Sequence, residues 1–569
     1  MSRTHSSDGG IVWSPGSLDD VAEKREKREN RHRDHTHDAV TPTPWWAGLI
    51  LGALGGIASY LAFPPTNLWW LLPIGIALLS IAMLIRGLIA AIPGAFAYGL
   101  GFFIPLTEWA STYAGTQPWM ALAAVQSLYL VLYALLTRTV LVRRGPGLLS
   151  ALLIACLWVA VETLRSHVPW GGLPWGAAAF ALSDSMLLNL GPWIGVAGLS
   201  FVVAFMAQLL AFGLLALAGR RRRGLTGIAG VWPIAAVLIA ILACLVVPHP
   251  AHTVPEGRPS LRVAGIQGSM GPIDPVALTM PPEVFENNVK VTQEVTTTAQ
   301  KQNRPLQLIV WPEDSTGASP LADPGRAQIL GRLSEKAAAP VLVGTQRLVT
   351  NDAGDATGRY NIALLYGAAG EPLYEYAKRH PVPFGEFIPY RDFFRKLSPL
   401  VDMIAVDMLP GEKVGVMDLA ALGEGAGKVG VLICFEIAYD DLVDDVVTDG
   451  AEVIVVQSNN ALFGHSHEAI QQLAEAKVMA VVSGRSVVHV STVGHSAIFT
   501  PEGRQLAFVD HWKQGAVVAD VPLRTSITPA VAAGAWPAIG MCAIGALGWL
   551  ICVSGPRRAL ARYGPRRRR

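Results

Sequence analysis

Apolar residues fall along this chain in two regimes: long unbroken runs up to about residue 248 and again near the C-terminus, and short bursts between polar stretches in the 280 or so residues between. The long runs divide into eight segments, roughly 45–63, 68–86, 88–110, 119–142, 148–166, 193–219, 230–248 and 530–553. Each is close to the ~20 residues a helix needs to cross ~30 Å of hydrocarbon. The pattern predicts eight transmembrane helices. Only Pro64-Pro65 and Arg86-Gly87 punctuate the first three.

The short bursts read differently. Runs rich in branched residues at 261–266, 306–310, 341–343, 429–433, 453–456 and 487–490 predict strands, and the stretches 284–300, 325–337 and 467–482 predict helices between them. Strands that are apolar throughout imply a sheet covered on both faces, and a segment of this length can bury a core. The expected organisation is therefore a polar tail at 1–44, a seven-helix membrane part at 45–248, an α/β domain at 249–529, an eighth span at 530–553 and a basic tail at 554–569.

Composition supports the membrane reading, with 51% hydrophobic and 15% charged residues. Net charge of +2 hides a strong asymmetry. Lys24, Arg25, Lys27, Arg28, Arg31 and Arg33, then Arg86, Arg143-Arg144, the run 220–223 and the run from Arg557 onward all fall on one side of the eight-span count. The opposite loops 64–67, 111–118 and 167–192 contain no Lys or Arg. Basic residues mark the cytoplasmic side, so both termini are expected in the cytoplasm and the α/β domain outside it. The clusters flank spans and lack interleaved aromatics, so they read as topology and lipid contacts, not as a nucleic-acid surface. The tail 1–44 is expected to be disordered, with His32, His35 and His37 solvated and not ligating a metal. The first span has no small-residue cleavage site and is expected to direct insertion itself.

Candidate chemistry sits where strands end. Cys434 is the only cysteine of the α/β segment and closes the run Val429 to Ile433; Cys156, Cys244, Cys542 and Cys552 lie in apolar runs, where a thiol packs as a small hydrophobe. Cys434 is either a nucleophile at the lip of a sheet or a buried structural thiol. Val310 runs into Trp311-Pro312-Glu313 and Val456 into Gln457-Ser458-Asn459-Asn460. Carboxyl ends of strands are where α/β sheets build sites.

These residues carry a resemblance. Trp311-Pro312-Glu313, the segment from Lys378 to Glu386 and Ile433-Cys434-Phe435-Glu436 resemble, in order and spacing, the Glu, Lys and Cys motifs of the nitrilase (carbon-nitrogen hydrolase) superfamily. With seven spans before the domain and one after it, the chain looks like the apolipoprotein N-acyltransferase family. Glu162, Arg165, Pro169-Trp170 and Pro174-Trp175 in the membrane half, and the loop 458–464, are similar to that family too. The chain departs from it at Phe435 and Leu462, where relatives commonly have Tyr and Trp, and in lacking a tryptophan over 269–282.

The resemblance implies an αββα sandwich outside the bacterial plasma membrane and a Glu313–Lys378–Cys434 triad. It makes Glu313 the general base, Cys434 the nucleophile, and Lys378 with the backbone N–H of Phe435 the oxyanion site. Glu386 is to orient Lys378, with Glu436, Tyr360 and Asn361 in support; His380 is less suited than Glu313 as base. It further implies a phospholipid as acyl donor and diacylglyceryl-modified apolipoproteins as acceptors; no cofactor or metal is expected, since no His/Cys/carboxylate cluster has ligand spacing and no glycine loop precedes a Lys-Ser/Thr pair, and the enzyme is expected to be a monomer. The stretch 397–410 is unusually apolar for an exported loop and reads as a membrane contact, with a packed interior helix as the alternative; Leu400, Ile404 and Met408, with Leu462 and Phe463, are the expected lipid-access residues. A membrane-anchored amidase with the same triad, and a non-catalytic transporter or scaffold, remain as other readings. Few ionisable residues beyond Glu108 and Glu162 lie in the spans, against a transporter.

Overall fold

Close packing of small residues sets the first helices. The structure is a computed structural model that describes residues 46–84, 88–221, 244–271, 280–423 and 427–554, with isolated positions between 235 and 242. Helices α1 (Trp46–Tyr60), α2 (Leu71–Ala82) and α3 (Leu88–Leu106) pack together, and a Cβ on Gly52 would lie 2.0 Å from the Gly94 carbonyl oxygen. Such contacts let apolar helices associate where the surrounding solvent is equally apolar. The short α4 (Trp109–Ala114) leads into α5 (Thr116–Arg144), α6 (Leu148–His167) and α7 (Gly191–Arg221); the last is broken at Gly195, whose φ is +69°. Near the C-terminus, α13 (Pro529–Ala533) precedes α14 (Trp536–Ser554), which presents apolar residues such as Ile539, Leu547 and Ile551 outward.

Four helices among the described residues are long and apolar enough to cross a membrane: 116–144, 148–167, 186–217 and 536–554. The helices in the first three expected spans are shorter than drawn from the sequence, because turns at 61–70, 83–84 and 107–108 take up part of each apolar run. Most of the expected seventh span, the tail 1–44 with its histidines, and the basic run from 555 lie outside the described residues.

The α/β part is a sandwich of two six-stranded sheets. Its strands are β1 (Ser260–Gln267), β2 (Leu308–Val310), β3 (Val341–Thr350), β4 (Ala356–Tyr366), β5 (Pro372–Ala377), β6 (Val416–Asp418), β7 (Lys428–Ile433), β8 (Val453–Ser458), β9 (Ser486–Ser491), β10 (Ser496–Phe499), β11 (Gln505–Val509) and β12 (Gly515–Pro522). The orders are β12-β1-β2-β3-β4-β5 and β11-β10-β9-β8-β7-β6. Each sheet has three central parallel strands, β1–β2–β3 and β7–β8–β9, flanked by antiparallel ones. The six strands expected from the sequence are these central ones; the missed strands lie toward the sheet edges, where polar residues interrupt the apolar signal.

Inward faces from both sheets, among them Val263, Val310, Leu342, Val431 and Val455, make the middle core. Helices α8 (Glu283–Lys301) and α9 (Pro324–Ala337) cover the first sheet. Asp323 caps α9 by accepting from the Gly325 and Arg326 amides, with Pro324 at the first helical position. Helices α11 (Asp440–Thr448) and α12 (Glu468–Ser483) cover the second sheet, and α12 also packs on α7, so one apolar cluster runs from the sheet into the long apolar helices. A short α10 (Arg391–Arg395) lies in the long connection from β5 to β6.

The stretch 397–410 corrects one expectation. Ile404 and Met408 are buried, and Ile404 packs with Ile388 and Val401; of the large hydrophobic side chains in the stretch, Leu397 and Leu400 are the exposed ones. The segment folds inward because Arg391 donates to Asp407 and to the Val401 and Ile404 carbonyls, while Arg395 pairs with Asp402. Exposed apolar surface lies instead around Tyr390, Phe393 and Leu397.

Gly344 of β3 leaves no room beside the strand end that carries Glu313: a Cβ there would sit 2.5 Å from the Pro312 carbonyl oxygen and 2.6 Å from Glu313 Cα. Those are backbone atoms in a paired sheet and cannot swing away. Gly344→Ala is expected to destabilise the protein by about 1–3 kcal/mol, as overpacking does, measured by thermal unfolding in detergent; an unchanged melting temperature would contradict this packing.

Candidate active site

Three strand ends converge. β2 ends at Val310 and hands the chain to Trp311, Pro312 and Glu313; β5 ends one residue before Lys378; β7, in the opposite sheet, ends one residue before Cys434. Two hydrogen bonds tie the sheets here, from Gln457 Nε2 to the Trp311 carbonyl at 2.7 Å and from Thr492 Oγ1 to the Glu313 carbonyl at 3.2 Å. The spacing between Glu313 and the second sheet is thereby fixed through the backbone.

Lys378 is buried, 1% exposed, and its Nζ lies 2.8 Å from Glu386 Oε1 and 3.8 Å from Glu313 Oε1. Asn361 Nδ2 donates to Glu313 Oε1 at 2.6 Å, and the other oxygen of Glu386 accepts from the Val382 amide at 2.7 Å. One cation thus sits between two oriented carboxylates.

Cys434 stands in the left-handed region at φ +55°, at the start of a 3₁₀ turn that runs to Ala438. A non-glycine residue there costs of order 1–3 kcal/mol and needs its surroundings to hold it. Glu436 does that. Buried completely, it accepts from the amides of Ile433 (2.8 Å), Arg379 (2.7 Å) and His380 (3.2 Å) and from the Tyr376 hydroxyl (2.9 Å). The Phe435 amide lies in the first turn of this helix, where amides have no intrahelical acceptor. Around the thiol, Cys434 Sγ is 3.6 Å from both Ser458 Oγ and Gln472 Nε2.

Burial dominates the electrostatics. It pushes Glu313 up to about 8 against the pull of Lys378, and it raises the Cys434 thiol, with Glu313 adding and Lys378 opposing. For Lys378, burial acts to lower the pKa, but Glu386, Glu313 and Cys434 together outweigh it and hold the ammonium charged. Such a set can take a thiol proton onto a carboxylate and offer a fixed positive charge to a developing oxyanion.

The helical part reaches the Cys434 turn through aromatic rings. Phe435 stacks on Trp175, with centroids 5.3 Å apart and planes 5° apart. Trp175 is edge-on to Trp109, which meets Phe463, and Trp175 Nε1 donates to Gln471 Oε1 at 2.8 Å. Buried Arg165 donates to the Leu173 and Trp175 carbonyls at 2.6 and 2.8 Å, so the loop carrying Trp175 is clamped from inside the helix bundle.

Known proteins match both halves. Residues 55–209 match the model of the apolipoprotein N-acyltransferase N-terminal domain, and residues 262–528 that of carbon-nitrogen hydrolases. Apolipoprotein N-acyltransferase of Mycolicibacterium smegmatis is 31% identical over 493 residues, covering 84% of this chain and 80% of that one. The chain belongs to the apolipoprotein N-acyltransferase family. The family's Azotobacter vinelandii member is 28% identical across 91% of this chain and 97% of its own, and that of Pseudomonas aeruginosa is 28% identical across 88% and 95%. Among solved structures, a nitrilase-superfamily amidase variant from Nesterenkonia is 16% identical and covers 49% of this chain, with a TM-score of 0.34.

Of the site residues expected from the sequence of this family member, Glu313, Asn361, Lys378 and Glu386 come together, and Cys434, Phe435 and Glu436 form one turn. Tyr360 does not join them. It follows the alternation of β4 and faces the helical layer with Ile362 and Leu364, under the Arg347 guanidinium, while Asn361 faces the site. Both residues lie mid-strand in β4. His380 stacks on Tyr439, 4.9 Å between centroids. Phe463 packs against Trp109 and Tyr113, with half-buried Leu462 beside it. Sequence reasoning missed the glutamines of α12: the helix carries Glu468, Gln471, Gln472 and Glu475 yet is buried on nearly every side, and that burial is not visible in the residues themselves.

Glu436→Gln replaces an acceptor oxygen facing amide donors with an NH₂ group. It is expected to cost about 1–3 kcal/mol, the penalty for unsatisfied buried donors, whereas Tyr376→Phe should cost only about 1 kcal/mol. Thermal unfolding of the two variants side by side measures the difference.

Proposed function

We propose that this protein transfers an acyl chain from a membrane phospholipid, through a thioester on Cys434, to the α-amino group of the N-terminal diacylglyceryl-cysteine of apolipoproteins. The observation that carries this reading is the meeting of Glu313, Lys378 and Cys434 at the strand ends of a chain that belongs to the apolipoprotein N-acyltransferase family. The proposed topology is eight spans, with residues 249–529 outside the plasma membrane and both termini in the cytoplasm, the chain acting as a monomer.

The steps follow from the chemistry of the groups. Glu313 takes the Cys434 proton as sulfur attacks the ester carbonyl carbon of the phospholipid. Lys378 and the Phe435 amide stabilise the oxyanion; the C–O bond breaks and Glu313 returns the proton to the departing lysophospholipid oxygen. The acceptor's amine then attacks the thioester carbonyl, giving its proton to Glu313 as the C–N bond forms. The C–S bond breaks and Cys434 recovers the proton as thiol. Glu386 holds Lys378 in place, and Asn361 aims the Glu313 oxygen. The exposed apolar residues near Leu397 and Leu400 rest on the bilayer, and Phe463 with Leu462 borders the path of the acyl chain.

Three outcomes test the reading. Incubation with phospholipid and intact-mass analysis should show one acyl adduct on Cys434, absent in Cys434→Ala; an adduct elsewhere refutes the assignment. Because Glu313 must be ionised to accept the proton and its pKa lies up at about 8, the acylation rate should rise with pH through that region and level off above it, while Glu313→Gln should form no adduct at any pH. Replacing Phe393, Leu397 and Leu400 together by Ser should slow acylation from vesicles severalfold and leave alkylation of Cys434 by a small soluble reagent unchanged.

A further inference from the structure

Behind Cys434 lies a polar network that the acyl-transfer steps above do not use. Gln472 is fully buried on α12, and its Oε1 faces Ser458 Oγ at 2.6 Å, Asn460 Nδ2 at 3.0 Å and His489 Nε2 at 3.3 Å. Asn460 cannot turn its amide round freely, because Nδ2 also donates to Glu468 Oε2 at 2.6 Å and its Oδ1 accepts from the Ser491 hydroxyl. With Asn460 fixed as a donor, Gln472 must present its oxygen to it. The Gln472 Nε2 is then left facing Cys434 Sγ at 3.6 Å.

Among the described residues, Ser458 is the other polar side chain within hydrogen-bond reach of the sulfur, also at 3.6 Å. Its hydroxyl has one proton, and the 2.6 Å contact to Gln472 Oε1 takes it. Towards Sγ it therefore offers a lone pair, and of these two neighbours Gln472 alone has a proton to give. His489 stands between two acceptors, Gln472 Oε1 and the His495 carbonyl at 3.1 Å, and burial keeps its ring neutral with a pKa down at about 4. A neutral imidazole donates to only one of them, so Asn460 and Ser458 orient the amide.

We propose that Gln472 is a further catalytic residue: its Nε2–H hydrogen-bonds Cys434 Sγ, favouring the thiolate over the thiol and holding the sulfur on the side from which it attacks. A donor to the charged form favours that form, and hydrogen bonds to ionised groups are the stronger ones. The need is evident from the surroundings, since Glu313, Glu386 and Glu468 all work against ionising this thiol. Its place in acyl transfer rests on the function proposed above, but its effect on the sulfur does not require a lipid.

The test is alkylation of the full chain in detergent by iodoacetamide, read as a pH–rate profile at the Cys434 peptide by mass spectrometry. Gln472→Met keeps the length and removes the N–H; Gln472→Asn keeps an amide but withdraws it from the sulfur by about one bond. Each is expected to lower alkylation at pH 7 about tenfold, a loss equal to moving the thiol pKa up by one, and to lower acyl-adduct formation from phospholipid in parallel. Melting temperatures establish that the variants are folded, and if the Met variant does not fold, the Asn variant decides. Alkylation at the wild-type rate in a folded variant overturns the proposal. Faster alkylation overturns it too, because it would mean that the amide oxygen faces the sulfur and accepts from its S–H. A wild-type chain that is alkylated normally but never acylated by phospholipid would refute the function proposed above and leave the role of Gln472 standing.

Discussion

Burying Lys378 is the constraint around which the site is built. An ammonium 1% exposed to solvent loses several kcal/mol of hydration unless opposite charge and hydrogen bonds replace it. Glu386 at 2.8 Å and Glu313 at 3.8 Å supply the charge, and each carboxylate must in turn be held. Asn361 and the Val382 amide hold them. Removing Lys378 would leave two carboxylates facing each other in a dry interior, so one buried cation ties together the end of β2, the middle of β4, the end of β5 and the first turn beyond it.

The second sheet meets that arrangement from the other side. Its central strands end in Cys434 and Ser458, and the bonds from Gln457 and Thr492 to the Trp311 and Glu313 carbonyls make the distance between sheets a property of the backbone. Glu436 fixes the left-handed turn, gathering amides from the strand before it and from the segment after Lys378. Glu313, Lys378 and Cys434 are thus linked through hydrogen bonds between buried side chains and the main chain of the strand ends.

Much of this could be read from the residues in order. The central strands of both sheets and helices α8, α9 and α12 were visible as unbroken branched runs and amphipathic or Ala-rich stretches, because parallel strands buried on both faces leave that trace. Strands β4, β5 and β10 to β12 were not, since they alternate or carry polar residues toward the sheet edges. The strand ends at Glu313 and Cys434 were legible as motifs, yet Tyr360 was grouped with Asn361 although consecutive residues of a strand face opposite ways. The burial of Ile404 and Met408 depended on ion pairs of Arg391 with Asp407 and Arg395 with Asp402, which composition does not reveal. Gln472 looked like an ordinary polar position on a helix; only the covering of α12 by membrane helices on one side and the second sheet on the other gives it a buried environment.

The stack of Trp175 on Phe435 joins the two halves of the chain at one packed contact. One ring comes from a loop clamped by Arg165 within the helix bundle, the other from the residue after Cys434, and neither can change size without disturbing its partner. Substitutions at 175 and 435 are accordingly expected to be accepted in pairs, and a catalytic half borrowed from a different relative would carry a mismatched ring to this joint. The helical half is therefore packed directly against the Cys434 turn, and the sandwich cannot be cut free of it without exposing that joint.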